Sequence, residues 1–342
     1  MTHGSTTDMT QTMRAVVADG KGGTEVRHLP IPVARDGWVV IKPTATGVCG
    51  TDLHLVSGDY PHGRFPVVPG HEFAGHVSQV GAGVEGIAEG DYVGVNPNIS
   101  CGECEWCSIG ATNLCEKLLP VGVAVDGSCA EYVAVPQGVV FHLPDSISEA
   151  VAPLIEPFSC VLHALERVPG WGEKRLLIFG AGSIGLMGVV LARAEGVSGI
   201  WVVELNPARR RAALDLGADA AVASVDDLER RGGFDLALDA TGHPAAIGAA
   251  VGALRPRGRL IQMGVASESA RIEVSPYEIY AKELTIAGSN SLAEKYGESV
   301  ERMQDLQDRL ASLVTGRFVL EEYDEAIEAS KSPEHIKVQV RA

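Results

Sequence analysis

Arg175-Leu-Leu-Ile-Phe179-Gly180-Ala181-Gly182-Ser183-Ile184-Gly185 decides the fold, together with the helix-like Ile184–Ala194 and the strand-like Ile200–Val203 that follow it. A short apolar run bounded by glycine reads as a buried strand, and an apolar stretch at helical spacing reads as the helix after it. The G-x-G-x-x-G turn lies between them, and Glu204 ends the next strand about twenty residues further on, which is the context a dinucleotide fingerprint requires. Gly180 permits the tight turn, Gly182 lets the backbone approach a pyrophosphate, and Gly185 lets the helix pack close to the strand. The amides where the helix opens, at Ser183 and Ile184, then face the phosphates. Glu204 is placed to accept both adenosine ribose hydroxyls and to repel a 2′-phosphate, which favours NAD over NADP. Arg209, the first of three consecutive arginines, pulls the other way, because a neighbouring arginine can take that phosphate.

Outward from this turn the same texture continues. Arg209–Leu216 and Ala245–Leu254 read as helices and Leu236–Asp239 and Arg259–Met263 as strands, a run of βα units and hence a doubly wound parallel sheet. Ala240-Thr241-Gly242, Met263-Gly264-Val265 and Ser289-Asn290 each follow an expected strand. They fall at the carboxyl edge where open α/β sheets bind ligands, so Thr241, Gly264, Val265 and Ser289 are candidates for the nicotinamide half of the cofactor. From Met13 to about Leu143 the chain instead shows short strand-like runs, such as Trp38–Lys42, Phe73–Val80 and Ala130–Val135, punctuated by glycine and proline. Residues 1–12 read as a disordered extension. Glu325–Ala342 gives a short helix and then the strand-like Ile336–Val340, which has no place in the α/β unit. With 342 residues, more than one hydrophobic core is expected. The plan is a β-rich domain over 13–157, an α/β domain over 158–300, and a tail over 301–342 that returns to the first domain.

Seven cysteines stand at 49, 101, 104, 107, 115, 129 and 160. An odd number with four crowded into one loop favours metal over disulfides in an intracellular chain. Cys101, Cys104, Cys107 and Cys115 have C-x2-C-x2-C-x7-C spacing, and four thiolates close a tetrahedral zinc site with no open position, so this zinc is structural. A second set of ligand types is dispersed: Cys49, the pair His71-Glu72, and Glu156 before Pro157. Dispersion suits an open, catalytic site. The His71–His76 stretch is not a metalloprotease H-E-x-x-H, because its second histidine comes one position late. Cys129 and Cys160 read as packing cysteines, since free cysteine is among the most buried residue types.

Acidic residues outnumber basic ones 44 to 28, for a formal charge of −16. That balance excludes tracking a nucleic-acid backbone. No apolar signal core and no membrane-spanning stretch is evident, so a soluble cytoplasmic protein with a small-molecule partner and no membrane partner is expected.

The segments CGTDLH (49–54), PGHE (69–72), the four-cysteine loop, DGSCAEY (126–132), IEPFSCVLHAL (155–165) and GAGSIG (180–185) occur in an order and spacing that resembles the zinc-containing medium-chain alcohol and polyol dehydrogenases. The resemblance covers Met13–Ala342 and is strongest to the sorbitol and threonine dehydrogenase branch. It implies a GroES-like β-barrel catalytic domain joined to a Rossmann domain, one catalytic and one structural zinc, and NAD-linked oxidation of a secondary alcohol to a ketone. A sugar alcohol or vicinal diol is the expected substrate. Cys49 and His71 fall at catalytic zinc ligands. Glu156 falls at the acidic third-ligand position, and Glu72 at a glutamate that binds the metal in some members and stands behind it in others, so both are candidates. Thr51 resembles the hydroxyl that takes the substrate proton, and His54 the residue that passes it on toward solvent. Relatives form dimers or tetramers, with Leu284–Ala287 the edge for pairing. Specificity is expected from side chains such as Ser57, Tyr60, Phe65, Phe158 and Ser289. Competing readings are an L-threonine 3-dehydrogenase-like activity, an NADPH-dependent carbonyl reductase, and a non-catalytic binding protein on the same fold. The last sits badly with ligand and relay residues being present together.

Overall fold

The computed structural model describes residues 11–58, 63–168, 170, 174–228 and 233–342; Tyr60 lies outside them. Strands β1 (Thr12–Ala18) and β2 (Thr24–Pro30) form an antiparallel ladder in which Thr12 faces Pro30, so regular structure begins inside the stretch expected to be an extension. The barrel sheet is built on β3 (Trp38–Gly47), which leads through helix α1 (Gly50–Ser57) to β4 (Glu72–Val80) and β5 (Tyr92–Val95). A side lobe follows, hung on the two-stranded ribbon β6 (Asn98–Ile99) and β7 (Leu119–Pro120), with the one-turn helix α2 (Glu105–Ser108) between them. The chain then re-enters the sheet as β8 (Val133–Pro136) and β9 (Val140–His142). Alternate residues of these strands, Val39 and Ile41, Val93 and Val95, Val133 and Val135, pack with Phe73 and Val77 in one buried cluster. Period-two alternation puts one face of each strand inside, and each such side chain contributes about 1.5–3 kcal/mol on burial.

Helix α3 (Ile155–Glu166) joins the halves. Its apolar residues Ile155, Phe158, Val161, Leu162 and Leu165 are fully buried and recur at helical spacing. Pro157 falls in its first turn, where no backbone N–H is needed. Beyond it β10 (Arg175–Phe179), α4 (Ser183–Ala194), β11 (Gly199–Val203), α5 (Pro207–Asp215), β12 (Ala220–Val222), β13 (Phe234–Asp239), α6 (Pro244–Gly252), β14 (Leu254–Gln262), α7 (Pro276–Lys282) and β15 (Thr285–Gly288) make a six-stranded sheet in the order β12-β11-β10-β13-β14-β15, every pair parallel. This is the doubly wound arrangement, with its switch point between β10's two neighbours. Leu176 and Ile178 pack in the cluster with α3 and α4, while Leu177 and Phe179 pack in the cluster with α6. Both faces of β10 are covered, as a parallel sheet requires.

Helices α8 (Tyr296–Met303) and α9 (Gln307–Ala311) place Tyr296, Val300, Met303 and Leu310 in the α3–α4 cluster. The apolar stripe of α8 finds its partner on α3, so the chain re-enters the barrel sheet only at β16 (Val314–Val319), later than the start of the returning tail read from the sequence. After α10 (Tyr323–Lys331), β17 (Lys337–Arg341) completes the sheet order β16-β17-β3-β4-β5-β9, with β8 also on β3. None of the described helices is long and apolar enough to cross a membrane.

Candidate active site

Two elements converge on one spot of the barrel. Cys49 is the residue that opens α1, His71 and Glu72 stand where β4 begins, and a ligand atom from each lies within 4.8 Å of the others. A tetrahedral zinc with bonds near 2.0–2.3 Å has ligand–ligand edges of roughly 3.3–3.8 Å, so this thiol, imidazole and carboxylate match its donor set and reach. His71 and Glu72 are buried and Cys49 is half-buried. Behind them Asp52, fully buried one turn into α1, accepts a hydrogen bond from the Cys49 amide at 2.8 Å through Oδ2. Its other oxygen faces His71 Nδ1 at 3.7 Å, and among the described residues neither atom has another partner. A carboxylate behind an imidazole is the usual means of fixing a metal-binding histidine's tautomer and orientation. Burial opposes the His71 imidazolium, but Asp52 and Cys49 outweigh it and raise its pKa.

Glu72 is not alone. Lys337, at the start of β17, donates to Glu72 Oε1 at 2.6 Å and also pairs with Oε2, with both side chains inaccessible. A side chain at Gly47, opposite on β3, would stand 2.0 Å from Glu72 Oε2, so the bare backbone there makes room for the pair. Glu156, on the first turn of α3, is buried close enough to interact with His71 and Glu72 but does not belong to the tight three-ligand group. Burial and Glu72 push it up to about 7, against the pull of His71 and Lys337. Cys160, one turn along α3, donates to Glu156 Oε1 at 3.6 Å. Thr51 is half-buried with its hydroxyl 3.9 Å from the Cys49 sulfur, and His54 is exposed. Cys129 is buried. Phe158 is fully buried in the α3 core and is thereby removed from the cleft-wall residues expected to set specificity.

In the side lobe the four cysteines gather. Cys104 and Cys107 sulfurs are 3.5 Å apart and Cys101 and Cys107 4.0 Å, bracketing the roughly 3.8 Å edge of a zinc tetrathiolate. Both are far beyond the roughly 2 Å of a disulfide. Amides of Cys101 and Lys117 donate to the Cys115 sulfur, each at 3.3 Å. Backbone N–H groups of Cys107 and Glu116 hold Cys104 down to about 6, while burial and Cys104 push Cys107 up to about 11. A metal would take the place of the protons these thiols share.

Across the sheet, the glycine loop has the form its sequence requires. Gly180 turns at φ 93°, a Cβ on Gly185 would stand 1.9 Å from the Gly180 carbonyl, and one on Gly182 would meet nothing within 4 Å. The open cradle at Gly182, with the α4 amides of Ser183 and Ile184 uncapped by any side chain, fits an incoming pyrophosphate. Glu204 Oε2 accepts from the Ala181 amide at 2.7 Å and Oε1 from Asn206 at 2.8 Å, so its carboxylate is set beside this loop. Arg209 is less available than its position in sequence suggests. Its Nη2 donates to the carbonyls of Ser332 and His335 at 3.2 and 2.7 Å, and it is Arg210 that lies on the carbonyls of Glu204 and Leu205. Thr241 and Gly264 gather on Asp239 at the ends of β13 and β14, with Val265 exposed beside them. Ser289 donates its amide to the Gln262 carbonyl, and its hydroxyl is buried without a partner among the described residues.

Asp52 and Lys337 were missed in the sequence reading. Asp52 stands in plain view inside CGTDLH, and only its distance to His71 shows what it does. Lys337 carries no local signal at all.

Candidate metal ligands on a barrel, together with a glycine loop of dinucleotide-binding form on a doubly wound sheet, are the pattern of a two-domain, metal-dependent oxidoreductase. Residues 35–145 match the alcohol dehydrogenase GroES-like domain, and residues 183–306 match the zinc-binding dehydrogenase domain. D-altritol 5-dehydrogenase of Agrobacterium fabrum is 34% identical over 91% of this chain and 94% of its own length. Among solved structures, a zinc-binding dehydrogenase of Sinorhizobium meliloti bound to NADP aligns with TM-score 0.92 at 29% identity, over 97% of this chain and all of that one. An alcohol dehydrogenase of Escherichia coli CFT073 in complex with NADH aligns with TM-score 0.91 at 30% identity, over 97% and 99%. The chain belongs to this zinc-binding, GroES-like alcohol dehydrogenase family, enzymes that act on CH–OH donors with zinc and a nicotinamide dinucleotide.

Proposed function

We propose that this enzyme oxidises a secondary hydroxyl of a polyol to a ketone, with NAD as acceptor. The observation that carries the reading is the Cys49–His71–Glu72 cluster, three donors of zinc-compatible chemistry within 4.8 Å of one another. Zinc there supplies Lewis-acid stabilisation of an alkoxide, and NAD supplies the hydride acceptor. Cys49, His71 and Glu72 hold the metal, with Glu156 the acidic group poised beside them. Asp52 orients His71. Thr51 takes the proton of the substrate hydroxyl, and the exposed His54 hands it to water. Cys101, Cys104, Cys107 and Cys115 hold the structural zinc. Gly180, Gly182, Ser183, Ile184 and Gly185 cradle the pyrophosphate, and Thr241, Gly264, Val265 and Ser289 border the nicotinamide.

Relatives of this fold are known with either dinucleotide, so preference must come from this chain's own residues. Glu204 presents a carboxylate where a 2′-phosphate would add like charge, and Arg209 is engaged elsewhere. The polyol assignment draws support from the altritol-oxidising relative. Reduced-cofactor absorbance with zinc-loaded protein tests both: kcat/KM is expected to be highest for a polyol with NAD. A higher value with NADP, with a simple secondary alcohol, or with threonine overturns the corresponding part.

A homodimer through β15 is part of the same proposal. That strand is the edge of the six-stranded sheet and exposes Ile286; Tyr277 and Tyr280 of the preceding helix α7 are exposed as well. The free, clustered thiols suit a reducing compartment such as the cytoplasm.

A further inference from the structure

The side lobe is more than a stabilising appendage. Asn113 lies in the turn between Cys107 and Cys115 and is buried; its Nδ2 donates to the carbonyl of Asn290 at 2.7 Å. Asn98, buried on β6 at the root of the lobe, donates to Ser291 Oγ at 2.8 Å. Asn96, just before the lobe, accepts from the Asn98 amide at 3.0 Å through Oδ1 and donates through Nδ2 to the Ala293 carbonyl at 3.5 Å. Two asparagines of the cysteine lobe thus grip one short loop of the other domain.

That loop is conformationally expensive. Ser291 and Ala293 are non-glycine residues at φ 55° and 47°, and such residues persist only where the surroundings over-determine them. Upstream the loop issues from β15 through Ser289, whose amide bonds to Gln262. Gln262 in turn bonds to Asp239 and to the Gly264 carbonyl. Downstream Leu292 is buried in the α3–α4 core. One end of the loop therefore belongs to the carboxyl edge of the sheet and the middle is held from the lobe.

We infer that Asn113 and Asn98 are positioning residues that hold loop 289–293 in its cofactor-receiving form, so that the folded cysteine lobe sets affinity for the nicotinamide half of the dinucleotide. This rests on the reading that Ser289 borders the nicotinamide. The Asn113 turn is tied to the cysteine cluster at its end, where the Cys115 amide bonds back to the Thr112 carbonyl. Asn113 touches no reacting atom; it acts through the loop.

The test compares NADH with ADP-ribose, which lacks the nicotinamide, by fluorescence or calorimetric titration of zinc-replete protein. Asn113→Asp keeps size but cannot donate to a carbonyl; it is expected to weaken NADH binding about tenfold and leave ADP-ribose binding unchanged. Asn113→Gln, which keeps the donor, should recover part of the loss. Ser291→Ala removes the Asn98 contact from the loop side without touching the lobe, and should act in the same direction. Metal content is measured for each variant, so that a collapsed lobe is recognised by loss of one zinc. Hydrogen exchange of residues 289–293 separates the two layers of the claim. Faster exchange in both Asn113→Asp and Ser291→Ala with unchanged NADH affinity would support the grip but refute the placement of the loop at the nicotinamide. Unchanged exchange in both variants would refute the grip itself, and equal losses of NADH and ADP-ribose affinity would refute its action on the nicotinamide half.

Discussion

At the scale of residues, the metal cluster is a problem of buried charge. Glu72 and Lys337 are each almost inaccessible, and such a pair contributes little net stability while being costly to break, about 3–5 kcal/mol when one partner is removed. Lys337 therefore allows a second carboxylate, Glu156, to stand near Glu72 in the same low-dielectric spot. The two proposed zinc sites should respond differently to single substitutions. Cys49→Ser is expected to abolish turnover in a folded protein that keeps about one zinc of two, because the lobe's tetrathiolate is independent of it. Cys104→Ser should instead lower the melting temperature, since structural metal binding is linked to folding. Metal analysis with thermal unfolding checks both, and a wild type that binds one zinc when fully reconstituted refutes the two-site reading. The proposed proton path makes a second residue-scale prediction. His54 is exposed, so water or buffer can partly replace it. His54→Ala should lose at most about 10²–10⁴-fold, the range of general-base contributions, and imidazole should restore part of the rate at fixed pH and ionic strength. Wild-type turnover at every imidazole concentration would remove His54 from the path.

At the scale of elements, the doubly wound sheet was legible because its strands are short apolar runs, the first of them closed by glycine. Arg175–Phe179 was read with the observed bounds, and the Gly180–Gly185 turn has the geometry its residues require. The barrel was harder to delimit. Its strands are interrupted by register shifts, as at Val40/Ile41 and Pro43/Ala45 between β3 and β4, and local alternation cannot foresee an irregularity imposed by a neighbouring strand. A polar clip also emerges only between elements. Asp235 on β13 accepts from the Arg175 amide at 3.0 Å and from its guanidinium at 3.1 Å on β10, and pairs with Arg255 on β14. Burial works against the Asp235 carboxylate, but the Arg175 and Arg255 contacts prevail and hold its pKa below the ordinary 3.8. A depressed carboxylate contributes stability that is present above its unfolded pKa and is lost as pH falls through the folded one. The melting-temperature gap between wild type and Asp235→Asn should therefore be full at neutral pH and narrow below about pH 4. A gap that is constant from neutral to acid pH would show that the clip's charge contributes nothing.

At the scale of the whole molecule, two sets of contacts tie the domains together, one on either side of the proposed dinucleotide path. Arg209 and Asn206 hold the carbonyls of Ser332, Pro333 and His335, while Asn113 and Asn98 hold Asn290 and Ser291. At the β15 edge of the α/β sheet no further strand follows among the described residues, and the proposed dimer covers that edge. Ile286→Glu should shift the protein toward monomer in light scattering, because a buried carboxylate without a partner is strongly disfavoured; a variant with wild-type mass would refute pairing along β15. The sequence by itself determined the class of fold, the dinucleotide loop and the four-cysteine lobe, since each is written in residues close together in the chain whose spacing fixes their geometry. It also singled out Cys49, His71, Glu72 and Glu156 as dispersed ligand types, to which the resemblance gave their roles. Only the tertiary structure decided that Cys49, His71 and Glu72 form the tight group with Glu156 beside it, that Asp52 stands behind His71, and that Lys337 occupies Glu72. These pairings join residues up to 265 positions apart, and they depend on which strands of the barrel lie side by side, a matter of packing that no stretch of sequence records.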